Sequence, residues 1–208
     1  ADAQNFNPEL RGHAEAQIAN VSDELAYTAH DLDDGLRSEM IAGSMLNGIE
    51  IWEIVLNSLG LHDVDSDELT RHRIIRRLIG MEVTDIVHTT LENIRKSNIR
   101  SVDDLQRLPY NVVSFSGEMR NRNRQLKDFL FANLYRQYRV VRMAVKADRI
   151  IADLYHAYYD EPTILPPHVQ NLISETGLER TIADYIAGMT DRYAIEEHQK
   201  LFDPLYRP

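Results

Sequence analysis

The sequence predicts an all-α protein, a helical bundle, and three observations predict it. Apolar residues recur three and four apart along most of the chain, as in Ile18, Val21, Leu25, Ala29 and Leu32, which is the period of one helix face. Residues that stop or start helices divide those runs: Gly35, Gly60, Ser101, Pro109 and the Pro162 to Pro167 stretch. Only Pro109 to Ser114 reads as extended.

Taken in order, the first amphipathic helix carries Ile18 to Leu32 and ends near Gly35. A shorter helix surrounds Trp52 from Asn47 to Leu59 and stops at Gly60. Leu61 to Asp67 is an acidic loop. Glu68 to Ser97 is a long helix with Ile74, Ile75, Leu78, Ile79, Val83, Ile86, Val87, Leu91 and Ile94 facing inward. Ser101-Val102-Asp103-Asp104 has the form of a capping box that opens a short helix, which Pro109 ends. Ser116 to Tyr159 is too long for one ordinary globular helix, so it is broken once or bent. Pro166 and Pro167 suit the first turn of a helix reaching Glu175. Leu178 to Phe202 is the last helix, with a Pro-rich tail.

A chain of 208 residues is one domain or most of one, long enough for a substantial core. We read it as a single all-α region from 1 to 208. Its 43% apolar and 27% charged content are ordinary for a globular protein and argue against disorder. With no cysteine there is no disulfide framework and no Cys-type zinc site, which suits a reducing cytoplasm. No apolar run approaches the ~20 residues of a membrane span, and no charged-then-apolar leader opens the chain. Ala1 to Phe6 reads as a cut end inside a longer sequence.

The formal charge is −10, which argues against a general nucleic-acid binder. The charge is uneven. From Phe115 to Arg149 nine Lys and Arg stand against three acids, a local +6 that leaves −16 elsewhere. Such asymmetry fits a site for a polyanion. Arg120, Arg136 and Arg139 are the candidates there, since a triphosphate needs several cations. Arginines on a helix more often lie over apolar neighbours or pair with acids. Tyr135 and Tyr138 read as packing residues, and Asp191 with Arg192 as an ion pair fixing the last helix.

The segment Asp23-Glu24-Leu25-Ala26-Tyr27-Thr28-Ala29-His30-Asp31 sets a carboxylate, a phenol and a carboxylate at four-residue intervals. Each step of four advances ~6 Å and turns only ~40°, so Asp23, Tyr27 and Asp31 form one stripe about 12 Å long. That length suits a nucleotide lying alongside. Such a stripe alone usually marks a solvated face. Here small residues, Ala26 and Ala29, flank it, and Asp33-Asp34-Gly35 crowds acids at the helix C-terminus, where the macrodipole disfavours them. His30-Asp31 is not a ready-made ligand pair, because adjacent helix residues diverge by ~100°.

The string S-D-E-L-A-Y-T-A-H-D-L-D-D-G-L resembles the end of the metal-binding core in the bacterial dGTPase-like deoxynucleoside triphosphate triphosphohydrolases of the HD superfamily. Two further segments resemble the same family. Phe129 to Arg139 is similar to its aromatic and arginine helix, and Asp184 to Ala194 to its C-terminal signature. Ala14-Glu15-Ala16-Gln17 leads into the Asp helix as in bacterial members. The matches cover nearly the whole chain in order.

The resemblance implies that the chain is the C-terminal part of an HD-superfamily phosphohydrolase. It implies that Asp23 is a metal ligand, that Tyr27 and Asp31 contact the deoxyribose, the acid toward the 3′-hydroxyl, and that His30 is structural or supports a ligand from behind. It implies a divalent ion, Mg²⁺ or Mn²⁺, a deoxynucleoside triphosphate substrate cleaved to deoxynucleoside and triphosphate, and a homo-oligomer in the cytoplasm. The upstream His and His-Asp pair of the family cannot be found; of eight histidines, only His30 and His62 precede an Asp. One carboxylate does not hold a catalytic ion, so this fragment alone is expected to be inactive. Two other readings are a non-catalytic helical module for assembly or allosteric nucleotide binding, and another HD phosphohydrolase. The Ile-Ala-Gly-Met-Thr-Asp string argues against the latter.

Overall fold

The computed structural model describes residues 7, 9–61 and 67–206. It is all-α, with no strand among the described residues. The helices are α1 (Ala14–Arg37), α2 (Glu50–Leu59), α3 (Glu68–Ser97), α4 (Val102–Gln106), α5 (Gly117–Leu130), α6 (Tyr138–Asp160), α7 (Pro167–Gln170), α8 (Ile173–Thr176), α9 (Leu178–Ala187) and α10 (Asp191–Phe202). No described helix is long and apolar enough to cross a membrane. The chain divides into two compact units, the first ending at Gln137 and the second beginning at Tyr138.

In the first unit α1 packs along α3, and α2 lies against both α3 and α5. Val21, Leu25, Ala29, Leu32 and Leu36 form the buried face of α1, as the three-and-four spacing requires. They meet Ile51, Trp52 and Val55 of α2, Ile74, Ile75 and Leu78 of α3, and Met119, Leu126 and Leu130 of α5. Ile18, which belongs to the same sequence period, is 51% exposed, so the buried stripe starts one turn later than expected. The second unit packs α6 against α9 and α10. Its core is Leu154, Tyr158, Leu165, Val169 and Ile182.

Several boundaries follow their sequence signals. Gly60 ends α2 with φ 66, a left-handed conformation that glycine adopts at no steric cost. Ser101 caps α4 by accepting from the Asp104 N–H at 3.1 Å. The single break expected between Ser116 and Tyr159 is a five-residue π-helical turn, Phe131–Tyr135, between α5 and α6. Pro109 to Ser114 is irregular rather than a strand. Asn93 of α3 holds it, its amide donating to the Val112 carbonyl at 3.0 Å and to the Ser114 hydroxyl at 3.2 Å.

Other expectations are corrected. Residues 178 to 202 form two helices, because Gly188 closes α9 and Thr190 caps α10 by accepting from Tyr193 N–H at 3.2 Å. The segment from Pro167 to Glu175 likewise breaks at Asn171 and Leu172 into two single turns. Asp191 and Arg192 do not pair. Arg192 reaches one turn ahead to Glu196 at 2.8 Å, the spacing that brings helix side chains together. On α3 Ile74, Ile75 and Leu78 are buried and Ile79 and Ile86 pack against the core, whereas Val83, Val87, Leu91 and Ile94 are exposed. The acidic loop, including His62-Asp63, lies largely outside the described residues, as do Ala1 to Phe6.

The acids at the end of α1 have structural partners. Asp33 accepts from Arg71 at 2.9 Å, and the Arg71 side chain is almost wholly buried. Asp34 pairs with Arg37 at 3.0 Å. A buried arginine needs its carboxylate, so Asp33 serves the α1–α3 contact.

Leu32 is fully enclosed in the first unit. Leu32→Ala therefore lowers unfolding stability by about 2–5 kcal/mol, read as a shift of the denaturant midpoint for the transition that reports Trp52 fluorescence.

Candidate functional site

Burial of the Val21–Leu25–Ala29–Leu32 face turns the opposite face of α1 outward, about 200° away for residues two positions on. There Asp23 and Tyr27 line a cleft of about 500 Å³ with Glu24 and Thr28 of the same helix. The other wall is Lys127, Asp128 and Leu130 of α5, followed by Phe131 and Tyr135 of the π-helical turn. The volume is in the range of small-molecule sites. Tyr27 is 60% exposed, an aromatic ring left in solvent at the mouth.

Asp31 joins the group through Tyr135, whose hydroxyl donates to Asp31 Oδ2. Burial first, then this hydrogen bond and one involving Tyr27, push the Tyr135 phenol above its ordinary range. It therefore stays protonated and keeps donating. Leu134 is buried in the core while Tyr135, next to it in the π-helical turn, reaches α1. Insertions of this kind often sit at functional sites. Tyr135 packs against the core, as the sequence predicts, and its hydroxyl also reaches Asp31.

The cations are distributed differently from expectation. Lys127, not singled out from the sequence, lines the cleft and pairs with Glu24. Both partners are substantially exposed, so the pair contributes little to stability and Lys127 is available to an anion. Arg120 lines an adjoining hollow of about 680 Å³ that shares Glu24 with the cleft. Arg136 lies over the Phe131 ring at 4.9 Å from its centroid, at the cleft margin rather than inside it. Arg139 belongs to the second unit, with its guanidinium 5.8 Å from the Tyr138 ring centroid. His30 is exposed. The signal for Lys127 was its seven-residue spacing from Arg120 and four from Phe131, one helix face continued.

Glu82 of α3 is buried in the first unit, 1% exposed. Burial raises its carboxyl to about 7, against the opposing pull of Asn123 and Lys127, and Glu24 raises it further.

A divalent ion was implied for Asp23. Among the described residues no group of three or more His, Asp and Glu could hold a metal. Asp23 and Glu24 offer carboxylates at the cleft but do not complete a coordination shell. The residues present do not by themselves fit a resident ion.

Residues 113–200 match the phosphohydrolase-associated domain. The chain is 45% identical over 203 residues to a deoxyguanosinetriphosphate triphosphohydrolase-like protein of Geobacter metallireducens, covering 97% of this chain and 53% of that protein. It is 42% identical to a protein of the same name from Geobacter sulfurreducens, with 98% and 53% covered. It is 43% identical to another from Ralstonia pickettii, with 90% and 48% covered. The chain thus spans about half the length of the curated relatives it matches.

Because its folded-state value is raised above the ordinary 4.5, Glu82 favours the fold fully below about pH 4.5 and loses that contribution as pH rises through about 7. Glu82→Gln is therefore close to neutral in acid. At about pH 8 it is stabilising by up to about 3 kcal/mol, measured by chemical denaturation at both pH values.

Proposed function

This chain corresponds by sequence to the C-terminal part of a deoxyguanosinetriphosphate triphosphohydrolase-like protein, and on that premise we propose that it forms the sugar and phosphate wall of a deoxynucleoside triphosphate triphosphohydrolase. The full-length protein hydrolyses the substrate to deoxynucleoside and inorganic triphosphate. The observation that carries this reading is the cleft in which Asp23, Tyr27, Tyr135 and Lys127 converge, with Asp31 reached through the Tyr135 hydroxyl.

Each side chain has a role that its surroundings support. Tyr27 offers an exposed ring and hydroxyl to the sugar. Asp31, with one oxygen engaged by Tyr135, keeps the other for the 3′-hydroxyl. A site that hydrogen-bonds a substrate hydroxyl rejects analogues lacking it, because its own polar group is then left unpaired. Lys127 neutralises phosphate charge on entry of substrate, exchanging its exposed partner Glu24 for a polyanion. Arg120 extends the positive wall into the adjoining hollow, and Arg136 over the Phe131 ring adds to it at the cleft margin. Asp23 gives one carboxylate to a Mg²⁺ or Mn²⁺ site whose other ligands lie outside this chain, so the fragment alone is inactive. The whole enzyme acts as a cytoplasmic homo-oligomer.

The test uses the full-length protein with Mg²⁺ or Mn²⁺ and measures triphosphate release from each of the four deoxynucleoside triphosphates. Asp23→Ala, with its fold verified by circular dichroism, lowers release by more than about a hundredfold. Absence of release from wild type in every nucleotide mixture would instead favour a non-catalytic assembly or allosteric module. In the same assay Lys127→Met raises KM by about tenfold, the loss expected for one charge-assisted contact.

A further inference from the structure

Two links set the walls of the cleft in register. Lys127 pairs with Glu24, and the Tyr135 hydroxyl donates to Asp31. The partners are 103 and 104 residues apart, so α1 and the wall from α5 into the π-helical turn run in the same direction. Phe131 stands midway on its wall, one helical turn from Lys127 and four residues before Tyr135. Tyr27 and Thr28 stand midway between Glu24 and Asp31 on the other. Phe131, Tyr27 and Thr28 all line the cleft.

Between the two polar links the cleft thus presents aromatic surface. Phe131 is 53% exposed and Tyr27 60%. Leu130 and Leu134 of the same wall supply the core contacts, whereas the Phe131 ring is held from the side. The Arg136 guanidinium lies over it at 4.9 Å from the centroid, and the Tyr135 ring meets it edge-on, with centroids 6.4 Å apart and planes at 72°. A ring already fixed by two neighbours and open to a cleft receives a flat ligand without being ordered by it.

We propose that Phe131 is the base-stacking residue of this cleft, with a nucleobase lying flat on the ring face that Arg136 leaves open. The proposal deepens the triphosphohydrolase reading and rests on it. On a deoxyribose the 5′-phosphate and the 3′-hydroxyl lie toward opposite ends, and the base leaves from a third carbon. With those two ends placed along α1, at Asp23 and Asp31, the base is directed across the cleft to the facing wall, where Phe131 stands. Arg136, base and ring then form three layers, the cation drawing on the ring from behind. Arg136 acts through Phe131 and is a positioning residue, which accounts for its place at the cleft margin. Stacking reads a flat ring rather than a hydrogen-bond pattern, so every base can make this contact.

The experiment uses the full-length protein with Mg²⁺ or Mn²⁺, as wild type, Phe131→Leu and Phe131→Trp, each with its fold verified by circular dichroism. Triphosphate release is measured from a deoxynucleoside triphosphate and from deoxyribose 5-triphosphate, which has the same sugar and phosphates and no base. Phe131→Leu lowers kcat/KM for the nucleotide by about tenfold, mainly through KM, the loss expected for one base–aromatic contact. It leaves kcat/KM for the baseless substrate unchanged, and Phe131→Trp retains the wild-type value for both. Arg136→Gln gives a smaller loss on the nucleotide and no added loss when combined with Phe131→Leu. An equal loss on the two substrates overturns the proposal, because it shows a structural effect. An unchanged kcat/KM for the nucleotide in Phe131→Leu overturns it too, while release by wild type leaves the enzymatic reading standing. Absence of release by wild type from any deoxynucleotide overturns both. If Phe131→Leu does not fold, Arg136→Gln is read by the same comparison, and equal loss or no loss on the two substrates overturns the proposal.

Discussion

The burial of one face of α1 is the constraint on which the site depends. Leu25, Ala29 and Leu32 are enclosed against α2, α3 and α5, and a helix that buries one stripe must present the residues two positions away on its other side. Asp23, Tyr27 and Asp31 are those residues. The cleft is therefore a consequence of core packing, and its precision is that of a rigid helix rather than a loop. Gly35 extends the same logic to the end of α1. A Cβ there would meet Ile41 Cδ1 at 2.7 Å, so the absence of a side chain lets Ile41 fold back against the end of α1. Leu134 also packs near Gly35, and the next residue, Tyr135, carries its phenol to Asp31.

Charge is arranged in layers across the same wall. Glu24 and Lys127 pair at the cleft surface, Glu82 is buried in the same unit, and Asp33 with Arg71 ties α1 to α3 about two and a half turns beyond Glu24. Only the surface pair can be exchanged for a ligand at little cost, because exposed ion pairs are weak and buried ones are costly to break. The acids at the C-terminus of α1 are explained by this arrangement. Asp33 answers a buried guanidinium and Asp34 pairs with Arg37, so the unfavourable macrodipole position of Asp33 is offset by tertiary contact rather than by a ligand.

Local patterns were legible in the sequence where a single helix face decides the outcome. The buried stripe of α1, the Gly60 stop and the Ser101 cap follow from spacing or from one residue's backbone preference, and the existence of a break between Ser116 and Tyr159, though not its place, follows from length. What was not legible depends on partners distant in sequence. The outer half of α3 has the period of a buried face, yet Val83, Val87 and Leu91 are exposed, since periodicity says which residues share a face and not what covers it. Thr190 could be recognised as a cap only by weighing Gly188 against a helical pattern that continues on both sides. Lys127 was hidden among eight other basic residues of its segment; its distinction is facing Glu24, 103 positions away. The hydrogen bond of Tyr135 was hidden because its partner Asp31 lies 104 positions away.

The central claim is that Asp31, held by Tyr135, reads the sugar of a deoxynucleotide. The most direct measurement compares kcat/KM of the full-length protein for a deoxynucleoside triphosphate and its 2′,3′-dideoxy counterpart, in wild type and in Asp31→Asn. Wild type should prefer the hydroxylated substrate by at least about a hundredfold, and the Asn variant should reduce that preference to about tenfold or less. Equal treatment of the two substrates by wild type, or the same preference in both proteins, would contradict the assignment of Asp31 to the sugar.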